Sequence, residues 1–246
     1  MGHDEVLERL AKFQNADGGW WGIGTLKAPL STISNTINGL HWLRMVGAEK
    51  SALLDRTVAF LKAGQKEGGY WDEPKEILDH DPLMWMVPGK RANQVWYTAA
   101  LCRYLLESGR QDEVDFAAAL TFLRTAWGDK GFPMYPHTHW MALYLFSALP
   151  GRGALEQRIV QQSLEIVRDY ALQERTNAGE VGEIGYASFK AGPVAREVLS
   201  QVLQRIIAGQ AEEGYWDFAD GDVQDRVVNT TKIVSFLKIA REGGTV

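Results

Sequence analysis

A short phrase that occurs three times constrains the fold of this 246-residue chain more than any other feature. The phrase contains Gln, three variable positions, Gly and then aromatic residues, and we call it the Gln–Trp turn. Its copies are FQNADGGWW at 13–21, GQKEGGYWD at 64–72 and GQAEEGYWD at 209–217, with a weaker echo, WGDKGFP, at 127–133. The separations between copies fit a period of about 50 residues, which is typical of repeat architectures. The chain is therefore expected to contain about five repeating units.

Each unit has the pattern of a helical hairpin. An amphipathic segment ends at the Gly-rich turn, and a more apolar and more aromatic segment follows it. The ten predicted helices are 4–13, 32–46, 51–64, 92–107, 112–126, 137–148, 154–174, 180–190, 193–209 and 223–241. The eighth segment carries four glycines, so a loop is the alternative there. No stretch alternates apolar and polar residues in the manner of a strand.

The apolar helix of each hairpin must be covered on most of its sides. Curving the hairpins into a ring achieves this, with the apolar helices inside and the amphipathic helices outside. The predicted fold is therefore all-α, an α/α toroid of about five hairpins around an apolar cavity, forming one domain over residues 1–246. The Gln of each turn is expected to bond free N–H groups of the next helix, and the Trp to stack on it.

Composition excludes several classes of function. The net charge of −5 gives no basic surface for nucleic acid. The single cysteine, Cys102, excludes an intrachain disulfide and a multi-cysteine metal site, and its apolar helical context favours a core position. No window of 18 apolar residues indicates a transmembrane helix, and the charged N-terminus does not resemble a secretory signal. We therefore expect a cytoplasmic protein.

The Gln–Trp turns resemble the QW motifs of squalene–hopene and oxidosqualene cyclases and the glycine-rich repeats of protein prenyltransferase β-subunits. The resemblance spans the chain and implies an α/α toroid, usually of six hairpins. About five fit here, so the ring is expected to be smaller, open, or completed by another chain, and a homo-oligomer is expected. The matching residues are Gln14, Gly19, Trp20, Gln65, Gly69, Trp71, Gln210, Gly214 and Trp216.

The sequence departs from both families at the motifs that carry chemistry. Class II cyclases have Asp-x-Asp-Asp-Thr-Ala at the start of an inner helix, whereas the corresponding segments here, 94–99 and 32–37, contain no Asp. Val228, Asn229 and Thr230 stand where the prenyltransferases have Tyr-His-Thr, and Cys102 is in mid-helix. Zinc-dependent prenylation is therefore not expected, and no metal or cofactor is predicted.

Two pairs of titratable residues are candidate acids and bases. Asp79 and Asp81 precede an inner helix, and beside an apolar pocket one of them would have a raised pKa suited to protonating an alkene. The alternative is a solvated loop in which Asp81 bonds backbone ahead of Pro82. His137 and His139 open another inner helix and are candidate bases. Their alternatives are a structural role or a metal site shared with a carboxylate, although side chains two residues apart diverge on a helix.

Other candidates concern substrate binding. Lys90 and Arg91 lie just before a helix start, where positive charge suits a diphosphate, although a solvated basic loop is the alternative. Aromatic residues on the inner helices could stabilise a carbocation in the cavity or simply pack. This aromatic set is Trp42, Trp96, Tyr97, Trp140, Tyr144 and Phe236. The acidic run after the third turn fits a solvated turn better than a Mg²⁺ site, and comprises Asp217, Asp220, Asp222 and Asp225.

These features together predict a terpene cyclase-like enzyme. Its substrate would be an apolar isoprenoid or polyketide-like molecule, and its reaction a proton-initiated cyclisation or isomerisation. The first alternative is a non-catalytic protein that holds a lipid or peptide in the same cavity. The second is a polysaccharide lyase on a similar toroid.

Overall fold

The computed structural model describes residues 2–23, 26, 28–133, 135–216 and 223–242, although not the side chains of 223–225. The chain divides into a first compact unit that extends to Tyr135 and a second unit that begins at Pro136. Apart from isolated bridges, the regular structure of the described residues is helical. No helix among these residues is both long enough and apolar enough to span a bilayer.

The described residues of the first unit form five α-helices. These are α1 (His3–Ala11), α2 (Ile33–Met45), α3 (Ala52–Gly64), α4 (Arg91–Glu107) and α5 (Phe116–Ala126). Three short 3-10 helices accompany them, at Lys75–His80, Met84–Met86 and Gln111–Glu113. The predicted start of α5 at residue 112 is early, because residues 111–113 form a separate 3-10 turn.

Five more α-helices are formed by the part of the second unit that the structure describes. These are α6 (Pro136–Ala148), α7 (Ala154–Ala171), α8 (Ala178–Ala191), α9 (Arg196–Ala208) and α10 (Val223–Glu242), with a 3-10 turn at Gly192–Ala195. All ten predicted helices are present with ends that differ by a few residues, so the all-α prediction is confirmed.

The loop alternative for the eighth segment is wrong. Asn177 caps α8 in a capping box with Glu180, which fixes the helix start. The glycines of α8 face α10, where a methyl group on Gly179 would lie 2.4 Å from Asn229 Oδ1 and one on Gly185 would lie 2.6 Å from the Phe236 ring. These glycines therefore allow two helices to approach closely, and they do not interrupt α8.

Burial alternates along the chain as the hairpin pattern predicts. In the first unit α4 buries twelve of its 17 residues, whereas α5 buries only four of 11. In the second unit α8 is buried along most of its length, and α9 buries a stripe from Val198 to Ile206. In the first unit the helices that follow the turns, α2 and α4, are therefore the enclosed ones, whereas α10, which follows the third turn, buries only Ile233, Phe236 and Ala240 among its described side chains.

The three Gln–Trp turns have one conformation. The residue after each Gln donates its N–H to the carbonyl of the residue before the Trp, at 2.8, 2.8 and 2.9 Å. Each Gln side chain donates to a glycine carbonyl four residues later, and that glycine has a positive φ of 80–89°, a backbone region that glycine enters readily. The glycine in the first turn is Gly18, which corrects the sequence match to Gly19.

The turns join consecutive elements. The N–H of each Trp donates to a Thr hydroxyl on the helix that follows the turn, at 3.2–3.4 Å, with the partners Thr36, Thr98 and Thr230. The Gln65 amide group accepts from the Asp115 N–H at 2.8 Å and donates to the Asp115 carbonyl at 2.9 Å, at the start of α5. Gln14 instead donates to the Leu53 carbonyl of α3 at 2.9 Å. The predicted bond to a helix N–H is thus made by Gln65 and not by Gln14.

Candidate functional site

A buried carboxyl group lies directly after the second Gln–Trp turn. Glu73 is only 4% exposed and projects onto the start of α2. Its Oε2 accepts the Ile33 N–H at 2.7 Å, and its Oε1 accepts the Ser34 N–H at 2.9 Å. These N–H groups belong to the first turn of α2, where backbone donors have no partner within the helix. Glu73 therefore satisfies them from 40 residues away in the chain.

Two opposing effects act on the Glu73 carboxyl group. Burial raises its pKa above the ordinary value of 4.5 because the charged form loses hydration. Hydrogen bonds from Ser34 and Ile33 favour the charged form and act in the opposite direction. Burial is the larger effect, so the pKa is raised. A carboxyl group with this balance holds its proton to a higher pH than an exposed one, and the same hydrogen bonds stabilise the charge after the proton is released.

Tyr97 on α4 completes the polar lining around this carboxyl group. Its hydroxyl oxygen lies 3.3 Å from Ser34 Oγ and donates a hydrogen bond to the Trp85 carbonyl. Burial and then the charge of Glu73 raise the Tyr97 pKa far above its ordinary value of 10. The phenol therefore stays protonated and serves as a hydrogen-bond donor.

Asp72 fixes the loop that carries Glu73. Its Oδ1 accepts the Glu73 N–H at 3.0 Å, and its Oδ2 accepts the Gly89 N–H at 2.9 Å and the Gln94 side chain at 2.8 Å. Both ends of the segment 73–88 are thereby held together. Asn93 on α4 also donates to the Val87 carbonyl at 2.9 Å. The position of Glu73 is therefore set by a network of polar contacts in the first unit.

Asp79 and Asp81 do not have the surroundings that the predicted acid requires. Asp79 lies in the exposed 3-10 helix Lys75–His80, and Asp81 is exposed with a left-handed backbone, φ 49°. The buried carboxyl group of this loop is Glu73. A sequence signal for it exists, because only in the second turn is the residue two after the Trp an acid.

Lys90 and Arg91 lie at the exposed start of α4. The Arg91 guanidinium group lies 3.8 Å from the centre of the Phe122 ring and 3.4 Å from Thr125 Oγ1, both on α5. Arg91 is thus engaged with the neighbouring outer helix. Lys90 is the N-cap residue of α4 and makes no side-chain capping bond.

His137 and His139 contact different partners in the second unit. His137 Nε2 lies 3.1 Å from Glu180 Oε1, which also accepts from the Tyr170 hydroxyl at 3.2 Å. Burial raises the Glu180 pKa, but the hydrogen bond and charge of His137, together with hydrogen bonds from Asn177 and Tyr170, outweigh it and leave the pKa lowered. His139 is buried, with Nδ1 3.3 Å from Ser163 Oγ. The two rings therefore diverge, as their spacing predicts.

The predicted aromatic set divides by exposure. Trp140 and Phe236 are 1% exposed, with Trp140 packed against the rings of His137 and Tyr170, so both contribute to packing. Tyr144 is buried and its ring faces that of Tyr186 at 6.3 Å. Trp42 and Trp96 are half-buried, with the Trp96 ring against those of Tyr97 and Tyr135.

Some predicted features concern metals. Asp217, Asp220 and Asp222 lie outside the described residues, as does the side chain of Asp225. Among the residues that are described, no three His, Cys, Asp or Glu side chains converge as metal ligands would.

Comparison with solved structures shows a likeness to a terpene cyclase. A type II terpene cyclase from Scytonema, MstE, solved in complex with the substrate geranylgeranyl dihydroxybenzoate, superposes with a TM-score of 0.62. The alignment covers 96% of this chain and 81% of that chain at 12% sequence identity. The chain has a terpene cyclase-like fold. This likeness confirms the predicted fold class, whereas no protein-family model and no curated protein sequence matches the chain.

Proposed function

We propose that the protein is a terpene cyclase-like enzyme that protonates an alkene of an apolar isoprenoid substrate, with Glu73 as the general acid. The observation that carries this proposal is a buried carboxyl group of raised pKa at the start of an enclosed helix. The fold, which is like that of a type II terpene cyclase, supports it. Asp79 and Asp81, the acids expected from sequence, are replaced in this proposal because both are exposed.

The position of Glu73 relative to α2 supports the assignment further. The segment 32–37 aligns with Asp-x-Asp-Asp-Thr-Ala, and Ser34 stands at one of its Asp positions. Glu73 accepts the Ser34 N–H at 2.9 Å, so a carboxyl group from a different loop lies beside a position where the cyclases carry theirs. The start of α2 offers partial positive charge to the carboxylate that remains after proton transfer.

The proposed reaction begins with transfer of the Glu73 proton to one alkene carbon. The carboxyl O–H bond breaks, the π electron pair forms the new C–H bond, and the adjacent carbon becomes cationic. Attack by a second alkene closes a ring and moves the cation along the chain. Loss of a proton from a neighbouring carbon restores an alkene, so the product is an isomer of the substrate. The half-buried rings of Trp42 and Trp96 would stabilise the cation through their π faces.

The final proton passes to solvent water. The bases expected from sequence, His137 and His139, lie in the second unit, and their role stays a prediction.

The test of the acid uses Glu73→Gln with Asp79→Asn and Asp81→Asn as matched controls. Each variant is incubated in D2O with polyprenyl substrates, including geranylgeranyl dihydroxybenzoate, and the products are analysed by mass spectrometry. We expect the wild type and both controls to form an isomer that carries one deuterium. The turnover rate of Glu73→Gln should be lower by a factor of about 10² or more. Full turnover by Glu73→Gln would refute the assignment.

A non-catalytic lipid-binding protein is the second candidate. One observation favours it: both Glu73 oxygens are occupied by backbone N–H groups of α2, as in a purely structural helix cap. In that case the purified protein would retain an unmodified lipid, detectable by mass spectrometry after extraction, and would convert none of the supplied substrates. Conversion of any of them would exclude this candidate.

A further inference from the structure

The chain between Glu73 and α4 is held to the start of α4 through its own backbone carbonyls. The Asn93 side chain donates to the Val87 carbonyl at 2.9 Å and to the Met84 carbonyl at 3.4 Å, and the Tyr97 hydroxyl donates to the Trp85 carbonyl. Asn93 and Tyr97 are four residues apart, so their side chains project from one face of α4. We call residues 84–87 the cover segment.

Tyr97 links the cover segment to the surroundings of Glu73. Its hydroxyl oxygen accepts from Ser34 Oγ at 3.3 Å, and the Ser34 N–H donates to Glu73 Oε1 at 2.9 Å. A phenol has a single hydrogen to donate, and that of Tyr97 points to the Trp85 carbonyl. The cover segment and the Glu73 carboxyl group are therefore joined through two residues, Ser34 and Tyr97.

Exposure shows which side of this arrangement meets water. Met84 and Trp85 are 56% and 36% exposed, whereas Tyr97 is fully buried and Glu73 is 4% exposed. Met86, the next residue of the cover segment, is turned inward and fully buried. The cover segment is therefore an outer layer, with Tyr97 and the Glu73 carboxyl group beneath it.

We propose that Tyr97 is a positioning residue whose hydroxyl holds the cover segment closed over Glu73 and keeps water from its carboxyl group. This proposal rests on the proposed role of Glu73 as the general acid. A segment held by side-chain bonds opens locally at a lower free energy than the whole protein unfolds. The closed segment leaves the proton on Glu73 for the alkene, and each opening lets the carboxylate regain a proton from water. Tyr97 suits this role because its buried phenol stays protonated and continues to donate.

Two variants release the cover segment in different ways. Tyr97→Phe removes one bond to it, and Asn93→Ala removes two others without changing Tyr97. Tyr104→Phe is the matched control, because it removes another buried hydroxyl group from α4. The Tyr104 hydroxyl is about two turns further along α4 and lies 3.3 Å from His41 Nδ1 on α2. Its loss should weaken the same pair of helices away from the cover segment.

Amide hydrogen exchange measured by NMR tests the closure and requires no catalysis. The N–H groups of Ile33 and Ser34 donate to Glu73, so they exchange when water reaches the carboxyl group. We expect both release variants to speed this exchange about fivefold or more, the factor that corresponds to one lost hydrogen bond, and the control to leave it unchanged. No acceleration, acceleration in only one release variant, or equal acceleration in the control would overturn the proposal.

The pH dependence of turnover connects the cover segment to the acid. Glu73 must hold its proton to act, so wild-type turnover of polyprenyl substrates should fall as the pH rises through its raised pKa. Water admitted by either release variant makes the charged form less costly, so turnover should fall at a lower pH, while the control keeps the wild-type profile. An unchanged profile in the release variants would overturn the proposal. Full turnover by Glu73→Gln, with exchange rates as expected, would support the closure and refute only the proposed acid.

Discussion

Alanine substitution at Gly69 and at Gly214 separates the energy of helix docking from the energy of the turn itself. The two glycines have nearly the same backbone, with φ of 80° and 86°. A methyl group at Gly69 would meet the backbone of Ala118, whereas one at Gly214 meets nothing within 4 Å in the described structure. The same chemical change is therefore made in the same turn conformation, with and without a helix pressed against it.

The expected magnitudes follow from these two environments. An L-residue in the left-handed region costs about 1–2 kcal/mol, and this cost applies to both variants. At Gly69 the methyl group must also displace the α5 backbone, and overpacking of this kind costs about 1–3 kcal/mol more. We therefore expect Gly214→Ala to destabilise the protein by about 1–2 kcal/mol and Gly69→Ala by about 2–5 kcal/mol.

Urea unfolding followed by both circular dichroism and tryptophan fluorescence measures the difference. Low protein concentration is required, so that self-association does not stabilise one variant more than the other. Coincident transitions from the two probes would justify a two-state treatment. Gly18→Ala is a third variant, and it should lose about as much stability as Gly69→Ala because its methyl group would collide with the Arg56 carbonyl. Equal decreases in the free energy of unfolding for Gly69→Ala and Gly214→Ala would refute the inference that the second turn packs against α5.

Two further predictions concern buried titratable groups. Glu73 has a pKa above 4.5 in the folded state, so the folded protein holds this proton more tightly than the unfolded chain does. Its contribution to stability should therefore decline as the pH rises from 4.5 through the raised pKa, and urea unfolding of Glu73→Gln over the same range should lack this decline. Burial raises the pKa of the Cys102 thiol well above its ordinary value, so a thiol reagent should label Cys102 only as fast as the protein unfolds; rapid labelling in native buffer would contradict this.

The helices were predictable from the sequence because their apolar spacing is local. The glycines of α8 show where that reasoning fails. Taken alone, Gly179 and Gly185 weaken a helix. In the fold they give α10 room, since a methyl group on Gly185 would collide with Phe236. In the sequence, a glycine that interrupts a helix cannot be distinguished from a glycine that allows two helices to pack closely until the partner helix is known.

The register of the first turn shows the same limit on a smaller scale. Gly18 and Gly19 are adjacent, and either could be matched to Gly69 by eye. Only Gly18 has the positive φ and accepts the Gln14 amide N–H. Backbone conformation therefore decides between two residues that the sequence presents as equivalent.

Local sequence does not distinguish Glu73 from Asp81 as a candidate acid, although the repeat determines where Glu73 lies. Glu73 and Asp81 both stand before a proline in polar surroundings, so their neighbours along the chain give no distinction. The second Gln–Trp turn distinguishes them. The Trp71 side chain donates to the Leu61 carbonyl at 2.8 Å, and its backbone N–H donates to the Thr98 hydroxyl. These two bonds direct the chain after Trp71 to the start of α2. A carboxyl group two residues after that anchor reaches free N–H donors, whereas Asp81, eight residues further on, meets water. The repeat that builds the fold therefore also positions the Glu73 carboxyl group. Candidate acids near such turns are better ranked by their distance along the chain from the anchoring tryptophan than by the composition of their neighbours.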